Sequence, residues 1–97
     1  MTIEKTVQDK TVELKLVGWL NTQTAPLLEE ELRQLPEDAQ ELVLDCAQLE
    51  YVSSAGLRQI VVAFKRMNGH LRLRAVSEEI AHVLKMTGLQ NRLQIEA

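Results

Sequence analysis

The chain has 97 residues, enough for one domain with its own core and too few for two ordinary ones. Its formal net charge of −3, with basic residues dispersed along the chain, argues against a nucleic acid or an anionic membrane as partner. Cys46 is the only cysteine, so an internal disulfide is excluded and a reducing compartment is expected. No apolar run approaches the roughly 20 residues that span a bilayer, and Met1-Thr2-Ile3-Glu4-Lys5 lacks the features of a secretory signal. A cytoplasmic protein without membrane insertion is the expectation. Only Trp19, Tyr51 and Phe64 are aromatic, so the core must come mainly from Leu, Val, Ile and Ala.

Residues 2 to 8 read as a first strand, with Gln8-Asp9-Lys10 closing a hairpin. Val12, Leu14 and Leu16 alternate with Glu13, Lys15 and Val17, the two-residue period of a half-buried strand. Thr22 or Thr24 is placed to cap a helix with Pro26 in its first turn. Ala25, Leu28, Leu32 and Leu35 share one face of that helix, Glu29, Glu30 and Arg33 point away, and Pro36 ends it. Leu42-Val43-Leu44 is a continuous apolar run, which suits a central strand covered on both faces. A loop is expected after Asp45.

Leu57, Ile60, Val61 and Phe64 then form an amphipathic stripe, with Lys65 and Arg66 in the last turn and Gly69 just beyond. Leu71 and Leu73 alternate with Arg72 and Arg74 as a further strand. Ser77 can cap a third helix that carries Glu78 and Glu79 in its first turn and Ile80, Val83 and Leu84 on its buried face. Gly88 is its stop, and Leu93-Gln94-Ile95 is a short closing strand. The order β-β-α-β-α-β-α-β predicts an α/β fold over residues 1–97, a mixed sheet of four to five strands with helices packed on it.

The chemistry concentrates in Tyr51-Val52-Ser53-Ser54-Ala55-Gly56-Leu57, where a strand meets a helix. A helix start offers unpaired N–H groups and a partial positive charge, so an oxygen there can cap the helix and a phosphate there can be held. Two consecutive serines cannot both occupy the N-cap, which leaves one of Ser53 and Ser54 to face solvent. Gly56, lacking a side chain, would let a partner approach closely.

Leu42-Val43-Leu44-Asp45, followed after six residues by Val52-Ser53-Ser54-Ala55-Gly56-Leu57, resembles the signature of the STAS domain family, the anti-sigma factor antagonists. Gly18-Trp19-Leu20-Asn21 with Thr24-Ala25 resembles a second block of that family, and Val83-Leu84-Lys85-Met86-Thr87-Gly88-Leu89 its closing helix and turn. The resemblance implies a STAS fold and a binding module, not an enzyme, with no cofactor. It implies phosphorylation at Ser54, or failing that at Ser53. The implied partners are an anti-sigma factor that is also a serine kinase, which binds the unmodified domain, and a PP2C-type phosphatase that restores it. A constitutive STAS subunit of a transport or scaffold complex is the alternative. Two residues depart from the pattern: Ser53 stands where the family commonly has Asp, and Asn21 likewise, and both changes remove a negative charge.

Around the turn, Asn21, Thr22, Asp45, Ala55, Leu57 and Arg58 are candidate partner contacts beside Ser53, Ser54 and Gly56. Asp45 could equally be a turn former, Asn21 and Thr22 simple caps, and Arg58 part of an exposed helix face. His70 and His82 have no neighbours at metal-ligand spacing, so no metal site is expected.

Overall fold

The computed structural model describes residues 1–86, 88 and 93–97. Strands β1 (Thr2–Gln8) and β2 (Thr11–Leu20) form an antiparallel hairpin, turned through Asp9 in the left-handed region at φ 56°. Helix α1 (Ala25–Arg33), strand β3 (Glu41–Val52), helix α2 (Ser54–Arg66), strand β4 (Leu71–Arg74), helix α3 (Glu78–Met86) and strand β5 (Gln94–Ile95) follow. The element order matches the sequence expectation throughout.

The sheet runs β1-β2-β3-β4-β5, with every pair after the first parallel. Three successive crossovers thus step in one direction, and right-handed crossovers place all their helices on one face. Leu14 and Leu16 of β2, Leu42 and Leu44 of β3, and Leu71 and Leu73 of β4 meet Leu28, Ile60 and Leu84 of the helices in one core cluster. Among the described residues the other sheet face carries no helix. There Arg74 bridges Glu13 and Asp45, and Arg72 lies 3.8 Å from Glu41 and 3.3 Å from Glu96. This corrects the expectation of a central strand covered on both sides. Val43 is nonetheless buried, flanked in register by Glu13 and Arg72 on the open face.

Three local expectations change. No loop follows Asp45: β3 continues to Val52, with register shifts opposite Lys15/Val17 and Gly18/Trp19. Each shift adds one residue to β3, so its inward positions become Cys46, Leu49 and Val52, three apart instead of two. That spacing hides the strand from a two-residue test. On α2 the fully buried positions are Gly56, Ile60 and Ala63, continued by Met67, while Leu57, Val61 and Phe64 sit half-buried on the shoulder. Small residues let the helix lie close to the sheet, and a search for large apolar residues passes over them. On α3, Ile80 and Leu84 are buried and Val83 is half-buried.

The caps of α3 follow the sequence. Ile80 N–H donates to Ser77 Oγ at 3.2 Å, and Gly88, at φ 77°, donates its N–H to Lys85 O. Thr87 and Leu89 of the third family-like block lie outside the described residues.

Candidate functional site

Strands β2 and β3 are parallel and end together, with Leu20 opposite Val52. The segments that leave them, Asn21–Thr24 and Ser53–Ser54, therefore emerge side by side. The Ser53 N–H donates to Leu20 O at 2.9 Å and ties the two together.

Ser53 is the N-cap of α2. Its backbone is extended (φ −89°, ψ 176°), its Oγ accepts the Gly56 N–H at 3.3 Å, and its carbonyl accepts the Leu57 N–H at 2.9 Å. Ser54 is the first helical residue and is exposed, and its hydroxyl has no hydrogen-bond partner among the described residues. The ambiguity between the serines is resolved in geometry: one oxygen is used by the helix and the other faces water.

Gly56 has a different role from the one its sequence position suggested. It is buried, and a Cβ there would lie 2.7 Å from Leu20 Cγ and 2.8 Å from Leu20 O. The space that a partner was expected to use is occupied by β2 itself. Gly56 thus lets the helix start dock onto the strand end, which fixes the orientation of Ser54.

The first loop is held by Asn21 and Thr24 together. Asn21 Oδ1 accepts the N–H groups of Gln23 and Thr24 at 3.0 and 3.1 Å. The Thr24 hydroxyl, expected as a cap for α1, makes no capping bond; it donates to Trp19 O at 2.6 Å and accepts the Asn21 N–H at 2.8 Å. Thr22 is exposed. Both departures from the family pattern therefore sit at positions whose observed task is to accept backbone N–H bonds. Ser53 and Asn21 perform it as neutral groups.

Asp45 lies elsewhere. It is seven residues before Val52 along β3, roughly 20 Å away at the rise of a strand. Its carboxylate accepts the Ala47 N–H at the bulge and pairs with Arg74 at 3.1 Å, which makes it a positioning residue of the sheet. Burial alone would raise its pKa, but the Ala47 N–H, Arg74 and Lys15 outweigh burial and hold it below the ordinary value. Cys46 next to it is buried, and desolvation pushes its thiol up to about 12, in keeping with an inert packing residue.

Of the remaining candidates, Ala55 and Leu57 are half-buried, and Arg58 is exposed without an ion pair among the described residues. His70 lies at the far end of the sheet, where its carbonyl accepts the Leu42 N–H at the start of β3. Sequence reasoning had not singled out Trp19. It is 57% exposed and pairs across the strands with Tyr51, itself 49% exposed, with ring centroids 5.7 Å apart. The available signal was the scarcity of aromatics in the chain.

The sequence matches the STAS domain over residues 2–97. The chain belongs to the STAS domain family. It is 31% identical over 99 residues to the anti-sigma-B factor antagonist of Staphylococcus aureus (strain NCTC 8325 / PS 47), covering 98% of this chain and 92% of that protein. An anti-sigma factor antagonist from Mycobacterium paratuberculosis has the same fold, with a TM-score of 0.87 at 20% identity over 98% of this chain and 84% of that one. So does the unphosphorylated form of the anti-sigma factor antagonist SpoIIAA, with a TM-score of 0.81 at 13% identity over 99% of this chain and 89% of that one. SpoIIAA has also been solved phosphorylated, and that form gives 0.68 at 15% identity over 99% and 92%.

Proposed function

We propose that this STAS domain is an anti-sigma factor antagonist, a cytoplasmic binding module whose contact with its partner is switched by phosphorylation of Ser54. The observation that carries the reading is the division of labour between the serines: Ser53 Oγ caps α2, while Ser54 Oγ is exposed and has no hydrogen bond among the described residues. The likeness to the Staphylococcus aureus antagonist over nearly the whole chain supports the partner class. The partner is an anti-sigma factor that is also a serine kinase, and a PP2C-type phosphatase reverses the modification. The domain itself catalyses nothing.

The unmodified turn presents a neutral hydroxyl on a rigid helix start. A phosphate would add about 1.5 to 2 negative charges there. The helix N-terminus tolerates an anion, so the fold is left intact and the penalty falls on the partner, which must desolvate or repel the new charge. Such a switch works by altering a surface rather than by unfolding it.

The test is incubation with the candidate kinase and ATP, followed by mass spectrometry of wild type, Ser53→Ala and Ser54→Ala. Phosphate on Ser54, lost only in Ser54→Ala, is the expected result. Ser54→Asp should weaken kinase binding while Ser54→Ala keeps it. A partner bound equally by all variants, with no phosphate found, would replace this reading with that of a constitutive subunit.

A further inference from the structure

We infer that Trp19 and Tyr51 are the anchor on which the partner switched at Ser54 docks, so that its interface runs from the serine turn onto the open face of the sheet. The inference rests on the reading of Ser54 as the switch and adds to it the direction of approach and two contact residues.

The chain has one Trp, one Tyr and one Phe, and the fully buried core contains none of them. Two of the three largest side chains are thus left in water while Leu, Val and Ile fill the interior. Leu20 and Val52, next in each strand, turn inward to the core, which directs Trp19 and Tyr51 to the helix-free face. Pairing with each other still leaves about half of each ring uncovered.

The open face changes character along its strands. At its far end, Arg74 pairs with Glu13 and Asp45, and Arg72 lies beside Glu41 and Glu96. Beside the serine turn no ion pair joins the strands among the described residues: Val17 lies opposite Gln48 and Trp19 opposite Tyr51, with the exposed Glu50 at the bulge between them. The backbone that carries Trp19 is also tied down, since Trp19 O accepts the Thr24 hydroxyl and the adjacent Leu20 O accepts the Ser53 N–H.

Proximity selects the occupant. Tyr51 is three residues before Ser54, a span of at most about 10 Å. A specific protein contact covers about 800 Å² on each partner, a patch roughly 30 Å across. A protein that senses Ser54 from the strand end therefore reaches both rings. Tryptophan and tyrosine dominate the energetics of such contacts because they offer large, rigid, amphipathic surface.

Trp19, as the only tryptophan, provides its own probe. Protein labelled with 5-fluorotryptophan is titrated with the unlabelled purified kinase that phosphorylates Ser54, in the presence of a non-hydrolysable ATP analogue. The single fluorine resonance should shift or broaden as the complex forms. Trp19→Ala and Tyr51→Ala should each weaken binding by about tenfold or more. Leu27→Ala and Val62→Ala, exposed apolar positions on the helix side, should leave it unchanged. Thermal unfolding of each variant separates lost affinity from lost structure, and the wild-type resonance is informative even if a variant fails to fold. An unmoved resonance at saturating kinase, with Trp19→Ala and Tyr51→Ala binding as wild type while Ser54→Asp does not, would overturn the anchor and leave the switch standing. A kinase that neither binds nor modifies Ser54 would remove both.

Discussion

Replacing Ser53 and Ser54 separately by alanine should separate the cap from the acceptor without any partner being present. Ser53→Ala removes the oxygen that accepts the Gly56 N–H, leaving one of the first helical donors of α2 without its partner. Such caps contribute about 0.5–2 kcal/mol. At 3.3 Å this bond lies beyond the usual hydrogen-bond range, so the lower part of that interval applies, about 0.5–1 kcal/mol. For a domain of this length each kcal/mol moves the melting midpoint by about 4–8 °C, so a fall of about 2–8 °C is expected. Ser54→Ala removes an exposed, unbonded hydroxyl from a helical position and should stay within about 0.5 kcal/mol of wild type. Thermal and urea unfolding followed by circular dichroism measure both. If Ser54→Ala proved as destabilising as Ser53→Ala, the assignment of the two hydroxyls would be wrong.

Gly56→Ala meets opposing effects: alanine favours a helix over glycine by about 1 kcal/mol, while forcing a methyl group into a packed site costs about 1–3 kcal/mol. The atoms in the way include Leu20 O, which is held by the Ser53 N–H and cannot swing aside, so net destabilisation in urea is expected and a more stable variant would contradict the packing described. Asp45 has its pKa lowered in the folded state, so its contribution is present above the unfolded value near 3.8 and is lost as pH falls through the folded one. Asp45→Asn should accordingly lower stability at neutral pH and flatten the acid limb of the stability curve below the unfolded value near 3.8, and an unchanged limb would exclude the carboxylate as its source.

Much of the architecture follows from local pattern. The alternation in Val12–Val17 and Leu71–Arg74, the helical stripe in Ala25–Leu32, and the Ser77 and Gly88 signals each identify their element, because period, cap and stop are encoded within a few residues. The second half of β3 was not readable in this way. Its bulges arise from pairing with β2, and their effect is to move inward residues to a spacing that no isolated strand has. The candidate site divides along the same line. Sequence alone located the serine turn and required that one serine be free.

Only the tertiary structure decided which one, since the choice depends on where α2 begins once Leu20 occupies the space beside Gly56. It also moved Asp45 away from the turn and brought Trp19 to it, through strand length and register rather than through residue type. What a residue can do chemically is written in the chain; which neighbour uses it, or leaves it open to solvent, depends on contacts between segments far apart in sequence.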